Sequence, residues 1–156
     1  MRHSIVLLAL VLAAQTAIAA DAPDPVVKKQ LDSLKMKYEV DKDNDFKIVM
    51  DVGEGRTQLA YIRSNTETYG ANKVREIWSP GYKGETEVLP VKVANRLLDH
   101  SNSVKMGGWV KQKAMAVFVV KLSVNASAQE LQDALEAAVK SADELEQEFT
   151  GKKDEF

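Results

Sequence analysis

Apolar residues recur at helical spacing in three parts of the chain. Asp24 followed by Pro25 is typical of a helix start, and the apolar positions behind them predict an amphipathic helix over residues 25–36. A second helix is expected to open at Pro90, and a third to follow Ser127. The apolar positions of the three helices are Val27, Leu31 and Leu34; Val93, Ala94, Leu97 and Leu98; and Leu131, Leu135, Ala138, Val139, Ala142, Leu145 and Phe149.

The third helix carries the clearest boundary signals. Ser127 and Glu130 have the spacing of a capping box, in which the serine bonds the third amide and the glutamate bonds back to the cap. Gly151 is expected to end the helix. Its apolar stripe is predicted to pack on a sheet, and the alternative is that the same stripe forms a dimer face.

Between the helices, apolar and polar residues alternate or form short apolar runs. Phe46, Ile48 and Met50 alternate with polar neighbours and predict a strand, and the run from Met115 to Leu122 is typical of a central strand covered on both faces. We expect Ser64 to Asn72 to be a loop and Ser79-Pro80-Gly81 to end a strand. The remaining predicted strands are Gln58–Arg63, Val74–Trp78 and one around Trp109–Val110.

This order of elements predicts an α+β domain. Reading along the chain gives α-β-β-β-α-β-β-α, and the short loops between strands favour an antiparallel sheet of about five strands flanked by helices. We expect residues 20–156 to form one domain with an ordered core at about 24–150, because the length fits a single core and no internal repeat is present.

The first nineteen residues have the layout of a secretory signal peptide. A basic start at Arg2 and His3 precedes the apolar run from Ile5 to Ala14, and Ala17 and Ala19 place small residues at a cleavage site after Ala19. An apolar run of this length is too short to span a bilayer. We therefore expect export to the periplasm, with no stable membrane insertion after cleavage.

Composition and charge exclude several functions. The chain has 156 residues, no cysteine, 21 basic and 23 acidic residues. Without cysteine it has no disulfide, thiol nucleophile or zinc ribbon. A sequence pI near 5.7 argues against a general nucleic-acid binder, which needs a basic face. We predict no cofactor, no metal site and no nucleic-acid partner.

The order of the segments, together with the amino-acid sequence of several of them, resembles the YbjN family of bacterial sensory transduction regulators. The matching stretches are Leu34–Val40 with Asp45–Val49, Gln58–Tyr61, Arg75–Pro80, Val93–Leu98, Gly108-Trp109, Ala116–Val119 and Ser141–Leu145. The family is similar in fold to type III secretion chaperones, a curved antiparallel sheet with flanking helices that is often dimeric. The resemblance implies a protein-interaction module without catalysis, a protein partner and a homodimer.

Three aromatic residues are the candidate partner-binding side chains. Trp78, Tyr82 and Trp109 lie at expected strand ends beside proline or glycine, where an exposed aromatic can anchor a partner. The alternative is that they fill the margins of the core. The sequence thus predicts an exported, non-enzymatic interaction domain with a chaperone-like or regulatory role, and the competing class is a periplasmic small-ligand or metal-binding protein.

Two patterns that suggest chemistry are incomplete. Asp99-His100-Ser101 holds the residue types of a hydrolase triad, but neighbours on a helix point about 100° apart, so we interpret His100 as a polar residue near a helix C-terminus. Asp41, Asp43 and Asp45 resemble the start of a calcium loop whose required glycine and glutamate are missing.

Four lysines are expected along the last hairpin. Lys105, Lys111, Lys113 and Lys121 surround or occupy its two predicted strands. They are interpreted as charges on a solvated sheet edge, which discourage indiscriminate strand pairing. The alternative is a contact site for an acidic partner or a lipid headgroup.

Overall fold

The computed structural model describes residues 20–151 and 153–156. The predicted signal peptide, residues 1–19, lies outside the described residues. The elements in chain order are α1 (Pro25–Ser33), β1 (Glu39–Val40), β2 (Phe46–Gly53), β3 (Arg56–Tyr69), β4 (Asn72–Lys83), α2 (Val91–Ser103), β5 (Gly108–Gln112), β6 (Met115–Ser123) and α3 (Ala128–Thr150). The predicted α+β class is confirmed, with one short strand, β1, beyond the expected order.

The six strands found among residues 20–151 and 153–156 belong to one antiparallel sheet. Their spatial order is β1-β2-β3-β4-β6-β5, so β5 forms one edge and, within the part of the chain that the structure describes, pairs with β6 alone. β6 lies between β4 and β5, and its residues Ala116 to Val120 are buried on both faces of the sheet, which explains why the strand is apolar at nearly every position. The hairpin of β5 and β6 therefore places residues 108–112 at an open sheet edge.

The core lies between the sheet and α3. The apolar stripe of α3 is buried as expected for a helix packed on a sheet, and its predicted capping box at Ser127 and Glu130 is formed. Aromatic and β-branched residues of the sheet meet this stripe. The buried cluster is Val27, Leu31, Phe46, Ile48, Ala60, Ile62, Ile77, Phe118, Val120, Leu131, Ala134, Leu135, Ala138, Val139 and Ala142.

α2 packs beside α3 through a smaller cluster. Leu97 of α2, Leu145 of α3 and Ala116 of β6 are its buried members. Arg96 extends the contact at the surface by pairing with Glu148, with Nη2 and Oε2 2.7 Å apart. This second cluster holds α2 close to the edge strand β5.

The segment from Ser64 to Asn72 corrects the sequence-based prediction, because it is strand rather than loop. β3 continues to Tyr69 and β4 begins at Asn72, with Thr66 to Tyr69 in register with Asn72 to Arg75. Gly70 has a φ of 58°, which lets the chain reverse in a tight turn. Polar residues can form strands where the backbone pairs on both arms of a hairpin and neither face is fully buried, so their polarity was a misleading loop signal.

Two other boundaries also differ from expectation. Pro80 lies inside β4 instead of ending it, because the register of β4 against β6 shifts between Pro80 and Tyr82, a bulge that tolerates a residue without an amide hydrogen. α1 ends at Ser33 and not near 36, because Lys35 adopts a φ of 56° and the amide of Met36 bonds back to Leu31.

Candidate functional site

An apolar groove lies between α2 and the edge strand β5. It has a volume of about 600 Å³, within the range typical of ligand and peptide clefts. Leu98 is 64% exposed, and Val88 and Val110 are also exposed. The lining residues are Glu87, Val88, Leu89, Ala94, Leu97, Leu98, Trp109, Val110, Lys111 and Ala116. Apolar side chains gathered in a concave surface are typical of a binding site.

The exposure of Leu98 was missed at the sequence level. Leu97 and Leu98 both belonged to the expected apolar stripe of the second helix, but only Leu97 is buried. Consecutive helical residues point about 100° apart, so the stripe that reaches the core through Leu97 turns Leu98 toward the groove. No signal in the sequence distinguishes the two leucines, because both fit the same apolar stripe.

Trp109 forms the inner wall of the groove. Its ring packs edge-on against Phe118 with centroids 5.4 Å apart, and the main-chain position of Gly81 leaves room for it. A Cβ atom at Gly81 would lie 2.5 Å from the Trp109 ring and 2.9 Å from the carbonyl oxygen of Ala142. Close packing on several sides makes this wall rigid.

His100 fixes the polar edge of that ring. It lies in the last turn of α2, as expected, and is 3% exposed. Trp109 donates its indole N–H to Nδ1 of His100 at 3.0 Å, and Nε2 lies 3.4 Å from Oε2 of Glu144. An indole nitrogen can only donate, so Nδ1 must accept and the proton lies on Nε2. The ring thus joins α2, β5 and α3.

Ser101 also serves this wall. Its hydroxyl donates to the carbonyl oxygen of Leu97 and accepts from the backbone amide of Trp109 at 2.9 Å. Asp99 is exposed, whereas His100 is buried against Trp109. The structure therefore gives both His100 and Ser101 packing and hydrogen-bonding roles beside the groove, and does not bring the three triad-like residues together.

Tyr82 lies in a neighbouring cleft. Its ring meets Phe149 edge-on with centroids 5.2 Å apart. The cleft has a volume of about 650 Å³ and a mixed, largely charged rim that includes Lys83, Glu85 and Glu155. Tyr82 also packs against the small cluster that supports Trp109, so these two candidates are related through the core and line separate depressions.

Trp78 points to the other face of the sheet. It is in register with Tyr61 and with Val119, on the face opposite the buried Ile77. Its indole N–H donates to Glu76 at 2.8 Å, and the guanidinium of Arg63 lies 4.5 Å from the ring centroid. The three candidate aromatics therefore do not form one site, and Trp109 is the one that lines the apolar groove.

A separate cluster of charged residues lies near the C-terminal end of α3. Arg56 contacts Asp143 at 2.7 Å, Glu146 at 3.1 Å and Asp154 at 3.5 Å, and Glu146 is fully buried. Burial raises the pKa of Glu146, although the bond from the Glu155 amide and the charge of Arg56 oppose that rise. This cluster attaches the C-terminal residues to the β2–β3 turn.

The aspartates of the calcium-like turn are directed to other partners. One carboxylate oxygen of Asp41 accepts from the amides of Asp43 and Asp45, as in an Asx turn. Asp45 itself is buried, bonds the amide of Ser64 and lies 2.6 Å from Nε of Arg63. Burial raises the pKa of Asp45 despite those contacts. The turn is therefore stabilised by hydrogen bonds from its own backbone amides to the carboxylate of Asp41.

Among the described residues, no further candidate site comes from metal ligands, from membrane-spanning helices or from similarity to known proteins. Among residues 20–151 and 153–156, no group of three or more potential metal ligands is gathered, and no helix has the length and apolarity needed to cross a bilayer. No model of a known protein family matches the chain, and a search of curated proteins finds no match either. Its concave apolar lining makes the groove between α2 and β5 the feature of the described residues that most resembles a binding site.

Proposed function

We propose that this protein is an exported, non-enzymatic interaction domain of the YbjN type, which binds a segment of another protein in a chaperone-like or regulatory role. The observation that carries the proposal is the apolar groove beside an open sheet edge, with Leu98 and Val110 exposed above the rigid ring of Trp109. When a partner covers exposed apolar side chains in a groove, the removal of their surface from water stabilises the complex.

The polar side chains near the groove support binding in preference to catalysis. A catalytic histidine needs a ring nitrogen within reach of a substrate proton. Both nitrogens of His100 already face protein groups, Trp109 and Glu144, and the hydroxyl of Ser101 is likewise engaged. These groups hold the wall of the groove in place, which favours a preformed surface for recognition.

A chaperone-like role is tested by suppression of aggregation. The purified mature protein is mixed with a chemically unfolded client, and light scattering is followed after dilution. Leu98→Gln is compared with Val49→Gln, because Val49 is 59% exposed on β2, far from the groove in the sheet order. We expect Leu98→Gln to reduce suppression at least fivefold and Val49→Gln to leave it unchanged. Equal activity of the two variants, or no suppression by the wild type, would contradict this role.

Export is tested separately. The resemblance to a signal peptide places cleavage after Ala19, so the mature protein should begin at Ala20. N-terminal sequencing of protein recovered from the periplasm of a bacterial host checks the cleavage site. An uncleaved chain confined to the cytosolic fraction would contradict export while leaving the groove unaffected.

A small apolar ligand is the second candidate, because the groove also has the volume of a ligand pocket. Such a ligand would contact Trp109 and quench or shift its fluorescence. In Trp78→Phe protein, which keeps Trp109 as the one tryptophan, a fluorescence titration with a panel of apolar metabolites tests this function. Saturable binding that also raises the melting temperature would favour the small-ligand function over the protein partner.

A further inference from the structure

We infer that the groove takes an extended acidic segment, which pairs with β5 as an added strand, places alternate apolar side chains in the groove and sets a carboxylate beside Lys111. This inference rests on the proposed function and names the chemistry of the partner. Three features carry it: the outward-facing backbone of β5 at Lys111, the apolar lining between α2 and β5, and two exposed lysines of the β5–β6 hairpin, of which Lys111 lines the groove.

The hydrogen bond of Trp109 shows which backbone groups of β5 face outward. In an antiparallel edge strand, alternate residues direct both their N–H and C=O groups away from the neighbouring strand. The amide of Trp109 bonds Ser101 of α2, so Trp109 belongs to the outward set. By the same alternation Lys111 presents its N–H and C=O at the free edge.

α2 covers one end of that edge and leaves the other end open. Ser101 satisfies the outward amide of Trp109, whereas among the described residues the Lys111 amide has no hydrogen-bond partner outside the sheet. An incoming strand can therefore pair with β5 around Lys111 and the turn that follows. Main-chain pairing of this kind gives affinity, and the pockets for alternate side chains give specificity.

The side chains near this opening combine apolar groups with the positive charge of lysine. Lys111 lines the groove together with Leu98 and Val110. Lys111 and Lys113 are exposed, and neither forms an ion pair within the part of the chain that the structure describes. Lys121 differs, since it pairs with Glu76 at 3.2 Å. Two unpaired ammonium groups at an open edge complement a carboxylate on the incoming strand.

Glu87 adds one negative charge to the lining of the groove. It is exposed and lines the same groove, among apolar residues that include Val88 and Leu89. The groove therefore combines one cation from the edge strand with one anion from the segment before α2. A carboxylate of the occupant is favoured beside Lys111 and disfavoured beside Glu87.

Lysines on an edge strand also discourage unselective strand pairing. A neutral or basic strand that approached β5 would have to desolvate Lys111 without a compensating charge. An acidic strand gains that compensation. The same lysines that keep the edge from aggregating thus select the occupant by its charge.

Peptide binding tests the inference directly. Three fluorescein-labelled octapeptides share a central Thr-Val-Thr-Val-Thr-Val and carry glutamate, glutamine or lysine at both ends, so that either strand direction brings a charge to Lys111. Fluorescence anisotropy in 50 mM NaCl measures Kd with the full mature protein. We expect the glutamate peptide to bind at least fivefold more tightly than the glutamine peptide and tenfold more tightly than the lysine peptide, with the differences shrinking in 500 mM NaCl.

Matched variants separate charge, groove and backbone. Lys111→Glu with Lys113→Glu should reverse the order of the glutamate and lysine peptides, whereas Lys29→Glu with Lys73→Glu, an equal charge change elsewhere, should keep it. Leu98→Gln should weaken all three peptides. A glutamate peptide with N-methyl groups on its valines, which cannot pair as a strand, should lose at least tenfold in affinity.

Each other outcome overturns the inference and leaves the proposed function to its own test. Equal affinities of the three peptides would remove the acidic preference, and full binding of the methylated peptide would remove the added strand. Binding of none of them, while Leu98→Gln still impairs suppression of aggregation, would assign the groove to an occupant of another shape. Light scattering that shows a dimer abolished by Leu98→Gln would assign the groove to a second copy of this chain.

Discussion

Trp109 and His100 are joined by a hydrogen bond of 3.0 Å, in which the indole N–H of the edge strand donates to Nδ1 of a buried imidazole on α2. Their rings also meet at a centroid distance of 6.0 Å. This pair connects the helix and strand that form the two sides of the groove. The shape of the groove therefore depends on a contact that lies behind its surface.

Trp109→Phe should destabilise the protein by about 2–4 kcal/mol. The substitution removes the donor to the buried Nδ1 of His100 and also reduces the packed ring volume. Trp78→Phe is the control, because its indole N–H bonds Glu76 in a partly exposed environment, and we expect a loss of no more than about 1 kcal/mol. Urea unfolding followed by circular dichroism measures both. A smaller loss for Trp109→Phe than for Trp78→Phe would contradict the importance of the buried pair.

The parts of this architecture that the sequence predicts well depend on local interactions. The cap at Asp24, the capping box at Ser127 and Glu130 and the end at Gly151 each involve residues a few positions apart, and the structure confirms them. The burial of polar side chains, which the sequence did not predict, depends on distant partners. His100 is buried because Trp109 and Glu144 approach from two other elements, which periodicity within α2 does not reveal.

The candidate site was predictable only in part for the same reason. Trp109 was identified as a candidate from its residue type and its neighbouring glycines, and it does line the groove. Trp78 and Tyr82 share that description but lie elsewhere. The register of β4 turns Trp78 to the opposite face of the sheet, and Tyr82 lines a separate cleft with Phe149. Leu98 was assigned to the core, because an apolar stripe in the sequence does not show how much of the helix is covered by neighbouring elements.

Gly81→Ala should disturb the groove from beneath. The new methyl group would lie 2.5 Å from the Trp109 ring and 2.9 Å from a backbone oxygen, so the ring or the strand must move. We expect a loss of about 1–3 kcal/mol, typical of overpacking, together with a changed emission maximum of Trp109 in the Trp78→Phe background. Gly108→Ala is the control in the adjacent edge strand, because its Cβ meets nothing closer than 3.5 Å. An unchanged spectrum for Gly81→Ala would show that the ring position does not depend on this glycine.

Asp24 should contribute to stability both as a helix cap and as a partner of Arg75. Its carboxylate accepts from the amides of Val26 and Val27, and the second oxygen lies 2.6 Å from Nη2 of the buried Arg75. Asp24→Asn keeps a capping side chain and loses the charge, and we expect a loss of about 1.5–3 kcal/mol at pH 7. Asp24→Ala should lose about 1 kcal/mol more, because the cap is also removed.

The pH dependence of the Asp24 variants provides a further check. Burial alone would raise the pKa of Asp24, but the bonds from Arg75 and the helix amides outweigh it, so the pKa is lowered. A lowered pKa means that the stabilising contribution is complete above the ordinary aspartate value and is lost as pH falls through the lowered value. The difference in unfolding free energy between wild type and Asp24→Asn should therefore shrink between pH 5 and pH 2.5. A difference that stays constant over this range would contradict the ion pair with Arg75.

Arg56→Met should cost more stability than any surface charge substitution, and most at neutral pH. Arg56 is the cation shared by Asp143, Glu146 and Asp154, and its removal leaves buried carboxylates without a countercharge. We expect a loss of about 3–5 kcal/mol at pH 7. Arg96→Met is the matched control, because the pair of Arg96 with Glu148 is partly exposed, and a loss of about 0–1 kcal/mol is expected there.

The cost of Arg56→Met should fall as the solution becomes more acidic. Burial already raises the pKa of Glu146 in the wild type, so the folded state binds a proton more readily than the unfolded state does. This group therefore adds stability as pH falls from its raised value toward the ordinary glutamate value, and loss of the Arg56 charge raises the folded pKa further. Urea unfolding at pH 7 and pH 5 should show the Arg56→Met deficit reduced at pH 5, while Arg96→Met changes little. A deficit that is equal at both values would mean that Glu146 does not take up a proton in the folded protein over this range, and that the loss comes from packing of the arginine side chain alone.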